Sequence, residues 1–425
     1  LNKSKALLMI KNMKYNILPI ACLLFFSNLI LAQQYKCISE MDLKDKIKGY
    51  WLGQLVGNYM GWPFEFMYND GQPIPILVDR YYTSRDNPMN LRIHTDRRGH
   101  IDVLANTFNG AWSDDDSDIE FVYLHAVEEY GLDITNEEIA KVWKAHINRF
   151  IWGSNRQARQ LMDQGLIPPE TGKEGNNLYW WHIDPQLVNE IWSVFYPGML
   201  DMAIEKATLG AHVMNDSWGT HPTLFYAVLY SGAFIESDIM KLYQMGMDAL
   251  PKDSPMLSAL ENLRKWHKNN KNWKDTHKLI YDNYYKYPVD TGEYSNHNNN
   301  VNAIINGLYG AMAILYGEGD FQKTVGIAVS SGLDCDNQAA TCGGFIGVLK
   351  GSNSIPDHLT KDLGSGEEWD RPFNNQYINY SRDGLPNMTL ITDIVERIYF
   401  IAETAILANG GERFEKDGKV YLTIP

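Results

Sequence analysis

Cysteine is scarce: the 425 residues hold four, Cys22, Cys37, Cys335 and Cys342. So few cannot build a disulfide framework, and the fold has to rest on a buried core, for which the 44% apolar content is ample. Basic charge is also short, with 38 Lys and Arg against 52 Asp and Glu, a formal net charge of −14. A chain this acidic offers phosphates no ready face, which excludes nucleic acid and an anionic membrane surface as partners. Strand-like alternation is rare, and no repeat of about 20–50 residues recurs. No Pro/Ser/Gly-rich linker or low-complexity block divides the chain. These absences leave an all-α class with one large domain.

The first residues have a different character. Lys11 and Lys14 precede an apolar stretch from Ile17 to Leu31, which closes on Ala32 before Gln33. A basic start, a short greasy core and a small residue at the cut are the marks of a secretory signal, and the stretch is short for a membrane span. The expectation is a signal peptide over 1–32 and a mature domain over 33–425, exported to the periplasm or beyond, without stable membrane insertion. Cleavage takes four lysines and no acids, which moves the net charge to near −18.

What the chain does have is acid in two concentrated places. Trp112-Ser113-Asp114-Asp115-Asp116-Ser117-Asp118-Ile119-Glu120 packs four aspartates and a glutamate into seven positions. Ile119, Val122, Tyr123, Ala126 and Tyr130 follow it at helical spacing, so the run opens a helix that stops near Gly131. Capping and the macrodipole account for one or two acids at such a point, not five. Like charges this close need a compensating cation or full solvation. The second place is Asp334-Cys335-Asp336-Asn337, in a setting rich in Gly and Ala.

Helical patterns occupy most of the remainder. From Met41 to Gly61 the apolar positions Leu43, Ile47, Trp51, Leu52 and Leu55 accompany Gly49, Gly53, Gly57 and Gly61 at every fourth residue. Each glycine costs about 1 kcal/mol in a helix relative to alanine, so the stripe implies close approach of another backbone. Trp62-Pro63 ends that helix and leaves Glu65 on a loop. Residues 66–111 carry many turn signals and read as a long irregular excursion. Further helices are expected over Asn136–Met162, from Ile183-Asp184-Pro185, over Leu224–Phe234, over Val301–Tyr316 and over Ile391–Leu407, with a second small-residue stripe at Ala340, Gly343, Gly344, Gly347 and Gly351.

Two carboxylate clusters at helix starts could hold a pair of hard cations such as Mg²⁺, which take oxygen ligands, at the roughly 3.5–4 Å spacing of two-metal sites. The calcium-loop pattern fits badly, lacking its central Gly and final Glu. Zinc would want His and Cys, and Cys335 is out of phase with its acidic neighbours.

Three blocks in order resemble the ADP-ribosylglycohydrolase family, the group that includes the dinitrogenase-reductase-activating glycohydrolases. Gly49-x3-Gly53-x3-Gly57-Asn58-x2-Gly61-x-Pro63-x-Glu65 is similar to its opening helix, the acidic run to its (T/S)-D-D-T, and Gly332 to Gly343 to its G-x-D-T-D-x-x-A-x-x-x-G. Weaker echoes lie at His212, at Asn215–Gly219 and at Asn409-Gly410-Gly411. The resemblance implies an orthogonal helical domain with two Mg²⁺ or Mn²⁺ ions that grip the ribose diol of an ADP-ribosyl or related furanosyl group, free or protein-linked, while water cuts the glycosidic bond. It implies Asp334, Asp336 and Asn337 as metal ligands. Two registers of the acidic run are open: Ser113, Asp114 and Asp115 as ligands, or Asp114, Asp115 and Asp116. The second is preferred because Ile119 then takes the family's buried apolar position. Glu65 and Asp115 take the catalytic places, and Asn58, Gly61, His212 and Trp181 are substrate-side candidates. Departures from the pattern, Asp114 in the preferred register or Asn337 for a hydroxyl residue and Asn58 for Asp, keep oxygen ligands but change the charge. They permit an alternative, a non-catalytic binding or structural protein on the same fold.

Overall fold

The computed structural model describes residues 36–84, 87–95, 110–113, 115–286, 299–360 and 373–425. The signal-peptide expectation over 1–32, most of the distal part of the 66–111 excursion and Asp114 lie outside them. Residues Cys37–Pro425 form one compact unit. Among the described residues the helices are α1 Glu40–Gly61, α2 Asp115–Tyr130, α3 Asn136–His146, α4 Gly153–Asp163, α5 Asp184–Leu187, α6 Glu190–Val194, α7 Leu200–Ala211 and α8 His221–Gly232. They continue with α9 Ile239–Asp248, α10 Pro255–Asn269, α11 Trp273–Tyr284, α12 Ala303–Gly317, α13 Phe321–Ser330, α14 Cys335–Lys350, α15 Asp357–Thr360 and α16 Ile391–Ala408. The protein is mostly helical, as the sequence implies.

Two small sheets lie beside the helices. The strands are β1 Lys36–Ser39, β2 Gln376–Ile378, β3 Met388–Leu390, β4 Arg413–Lys416 and β5 Lys419–Ile424. β4 and β5 form an antiparallel hairpin with Lys416 opposite Lys419, in a sheet of order β1-β5-β4. Its turn, Asp417-Gly418, has positive φ at both residues, the arrangement that Asp-Gly favours between strands. The other sheet pairs β2 with β3. Ala111 joins it through Ala111 N to Gln376 O at 2.8 Å and Ile378 N to Ala111 O at 2.7 Å, which fixes the chain just ahead of the acidic run.

The glycine stripe sets the central contact. Residues Gly49, Gly53, Gly57 and Gly61 of α1 meet Gly347, Gly343, Ala339 and Asp336 of α14 in reverse order, so the helices run antiparallel with backbones touching. A Cβ at Gly57 would be driven into the Ala339 carbonyl and would lie 2.7 Å from Ala340 N. One at Gly61 would lie 2.6 Å from Asp336 N. The end of α1 is thereby pressed against the start of α14.

One expected helix is in fact two. Asn136–Met162 is interrupted between His146 and Gly153, where Phe150 and Gly153 take positive φ. The Arg382 guanidinium donates to Arg149 O at 2.8 Å and Phe150 O at 2.9 Å, and its buried ion pair with Asp118 at 2.7 Å ties that break to α2. The break was hidden from local sequence because its partner is so distant in the chain.

Beside α1 and α14 lies a buried acid pair. Glu120 Oε1 accepts from Ile191 N at 2.9 Å and its Oε2 bonds the Tyr50 hydroxyl. Glu190 accepts from Thr341 Oγ1 at 2.7 Å. Burial raises both carboxyls above the usual range, Glu190 to about 7, and the Glu190 charge adds to the effect on Glu120. For a carboxyl whose value is higher folded than unfolded, the stability it contributes is full below the unfolded value and is lost as pH rises through the folded one. The melting temperature of metal-free protein should therefore fall between pH 5 and pH 8, and Glu190→Gln should flatten the fall, as differential scanning fluorimetry at constant ionic strength would record. An unchanged slope in the variant would contradict this account.

Candidate metal centre in the cleft

Pressing α1 onto α14 delivers Glu65, four residues past the end of α1, to the two aspartates at the start of α14. The connecting backbone is pinned there: Phe66 N donates to Leu333 O at 2.8 Å and Leu333 N to Tyr68 O at 3.1 Å. Phe66, Gly332 and Leu333 all hold positive φ, and at Gly332 a Cβ would lie 2.9 Å from Tyr68 Cβ. The loop can only close with glycine at that point. Ligand atoms of Glu65, Asp334 and Asp336 come within 4.8 Å of one another.

These three line a cleft of about 530 Å³ together with Asp115, Asp116 and Asn337. The acidic run and the second acidic pair thus share one cavity. Asp116 is held by the Asn58 amide, whose Nδ2 donates to its Oδ2 at 2.8 Å. Ser113 is buried and its Oγ accepts from Ser117 N at 3.2 Å, the role of a helix cap. It is not part of the lining, whereas Asp116 is. Ile119 is fully buried. Asn337 is 1% exposed, yet among the described residues neither its Oδ1 nor its Nδ2 has a hydrogen-bond partner. A buried amide without partners costs about 1–3 kcal/mol unless something else satisfies it. Carboxylates in a 4.8 Å group beside an orphan carbonyl oxygen are the donor set of a hard cation, so these residues fit a divalent metal.

The four described acids of the run do not share one task. Asp115 and Asp116 face the cleft, Asp118 pairs with Arg382, and Glu120 belongs to the buried acid pair. Other candidates are placed as follows. Gly61 clears space for the Asp336 backbone. Trp181 is buried behind the lining, edge-on to the His182 ring at 4.5 Å. His212 is the C-cap of α7, with Nδ1 3.9 Å from Asp216, and is not brought to the cleft. The structure therefore does not unite His212 or Trp181 with the carboxylates.

Sequence reasoning missed a whole face of the cleft: Trp152 and Gly153 at the start of α4, and His182, Asp184 and Leu187 at α5. His182 Nδ1 lies 3.8 Å from Asp184 Oδ2, and Asp184 Oδ1 accepts from Asn155 N at 3.1 Å. Burial raises Asp184 to about 6, above an ordinary aspartate. Trp62, Trp112 and Tyr380 add an aromatic wall, with Trp112 4.6 Å from Trp62 and edge-on to Tyr380 at 5.0 Å. Asp184-Pro185 carried a signal, but as a helix start rather than as a site.

Fold and cleft together define a class: a mostly helical protein whose clustered carboxylates are placed to hold a cation. The chain belongs to the ADP-ribosylglycohydrolase family, whose family model matches residues 39–385. Members of that family are typically metal-dependent. A solved structure titled "ADP-ribosylglycohydrolase-related protein complex" is similar at 16% identity and a TM-score of 0.49, over 86% of this chain and 99% of that one. No curated protein matches the sequence.

Proposed function

We propose that the chain is a hydrolase, dependent on two Mg²⁺ or Mn²⁺ ions, that cuts a glycosidic bond to an ADP-ribosyl or related furanosyl group. The observation that carries this reading is the convergence of Glu65, Asp334 and Asp336 within 4.8 Å in a cleft that Asp115 and Asp116 also line. Asp114, Asp115 and Asp116 of the acidic run and Asp334, Asp336 and Asn337 of the second acidic pair would hold the ions. When bound, the ions supply a grip on a vicinal diol and Lewis-acid activation at the anomeric centre. Water adds its oxygen to the anomeric carbon as the bond to the leaving atom breaks. Asp115 and Glu65 serve that exchange as the groups that take the water's proton and return one to the leaving atom. The remaining carboxylates favour the positive charge that develops on the sugar. The leader-like residues 1–32 direct the enzyme out of the cytoplasm.

The test is removal and return of metal. Chelated protein assayed for release from ADP-ribosylated protein, ADP-ribose derivatives and aryl furanosides should lose activity by on the order of 10²-fold or more, and Mg²⁺ or Mn²⁺ should restore it. Protein that binds neither ion by calorimetry would sink the proposal and favour a non-catalytic role.

A further inference from the structure

The loop that leads into α14 does not hold its own shape. Gly332 and Leu333 both keep positive φ, which a leucine tolerates only where its surroundings fix the backbone. An aspartate side chain is short, so the Asp334 carboxylate goes where this backbone is put. The loop is fastened from several sides. His277 Nε2 donates to Ser331 O at 2.9 Å, Leu333 N donates to Tyr68 O at 3.1 Å, and Gln338 Nε2 lies 3.5 Å from Gly332 O. The N–H of Asp334 itself stands at the head of the helix, where no carbonyl of that helix can take it. It donates to Asn306 Oδ1 at 3.4 Å.

Asn306 is out of character with its own helix. α12 opens Ala303-Ile304-Ile305-Asn306-Gly307-Leu308, all of them buried, and an amide in that company destabilises the core unless it is bonded. It is bonded through both of its polar atoms. Oδ1 accepts from Asp334 N and from Gln338 Nε2, and Nδ2 donates to Asn300 O at 2.8 Å and Asn302 O at 2.9 Å. Those two carbonyls flank Val301, which lines the cleft and whose own carbonyl accepts from Ile183 N at 2.9 Å. Ala303 N donates to Trp181 O at 3.1 Å, so this turn is stitched to the chain on both sides of His182. One side chain therefore ties the loop that carries Asp334 to the cleft wall that carries His182. Asn306 is fully buried and is not part of the lining, so it acts through the Asp334 backbone and not on a ligand.

We infer that Asn306 is a positioning residue for the metal centre, setting the Asp334 carboxylate through the backbone N–H that its amide oxygen holds. The inference rests on the metal-dependent hydrolase reading above and adds to that site a residue 28 positions from the ligand it serves.

The test compares wild type, Asn306→Leu and Asn306→Asp, each as the full chain. Leucine fills similar space without an acceptor, whereas aspartate keeps an oxygen for Asp334 N. Residue-resolved hydrogen exchange on metal-free protein reads the loop, and calorimetry with Mg²⁺ and Mn²⁺ reads the ions. In wild type the Asp334 N–H should exchange at least about 100-fold more slowly than an unstructured amide. Asn306→Leu should lose at least about tenfold of that protection and bind both ions at least about tenfold less tightly, while exchange in α16 stays as in wild type. Asn306→Asp should stay within about threefold of wild type in both measurements, although its second oxygen meets the Asn300 and Asn302 carbonyls and lowers the melting temperature. A merely structural amide would instead show affinity falling with stability in both variants. Wild-type exchange at Asp334 in Asn306→Leu would overturn the inference, as would an aspartate variant that loses as much affinity as the leucine one. Should leucine prevent folding, an unprotected Asp334 N–H in wild type, or a loss of affinity in Asn306→Asp, would overturn it as well. Wild type that binds neither ion would overturn the hydrolase reading alone, since lost protection in Asn306→Leu would still support the placement of Asp334.

Discussion

Gly57→Ala should lower the melting temperature by about 3–4 °C, although alanine is the better helix former by about 1 kcal/mol. At an exposed helical position the propensity term would win. Here the new methyl meets the Ala339 carbonyl and Ala340 N of α14, which are backbone atoms and cannot rotate aside. Either α1 and α14 separate along their length, losing the contacts at Gly53–Gly343 and Gly49–Gly347, or one helix kinks. Overpacking of a tight core costs about 1–3 kcal/mol and occasionally more, and a rigid obstacle on both sides belongs at the upper end. Lys48→Ala, on the exposed face of the same helix, is the control and should change stability by no more than about 0.5 kcal/mol. The variant should also bind Mg²⁺ less tightly, because the same contact carries Glu65 to Asp334 and Asp336. Wild-type melting behaviour in Gly57→Ala would show that the two backbones are not in contact.

That contact also marks where sequence reading succeeds and where it stops. Glycines every fourth residue on a long helix state that something comes close, and Ala340, Gly343, Gly344 and Gly347 form a matching stripe. Spacing within each helix does not say that the two stripes face each other in antiparallel order. The family resemblance pointed to Asp115, Asp116, Asp334, Asp336, Asn337 and Glu65, and all of them line one cleft. Periodicity could not separate Asp116 from Asp118, since both lie in one acidic turn. Arg382, far along the chain, claims Asp118, and Asn58 orients Asp116 toward the cavity. Trp152 was lost for the same reason: its neighbours are helical in composition, and the carbonyl bonds to Arg382 that accompany the break come from far along the chain. His212 had a polar neighbourhood and no cavity, a difference that residue type does not encode.

Asp334→Ala should abolish measurable hydrolysis while leaving metal-free protein at least as stable as wild type. The two effects have one origin. Without a cation, Asp334 adds a negative charge to Glu65 and Asp336 in a group spanning 4.8 Å, and removing it relieves repulsion. With a cation, the same carboxylate is a ligand, and its loss removes both affinity and the charge that fixes the ion. Ligand binding stabilises the folded state by RT ln(1 + [L]/Kd), so saturating Mg²⁺ at about 100 Kd should add about 2.7 kcal/mol to wild type. The variant should gain almost nothing at the same concentration. Glu65→Gln provides the contrast, because an amide still offers an oxygen to the ion but takes no proton: turnover falls while most of the Mg²⁺-induced stabilisation survives. Thermal melts of the three proteins with and without Mg²⁺, alongside the release assay, separate the roles. If Asp334→Ala were less stable than wild type without metal yet gained as much from Mg²⁺, Asp334 would be a structural acid and the ligand assignment would fail.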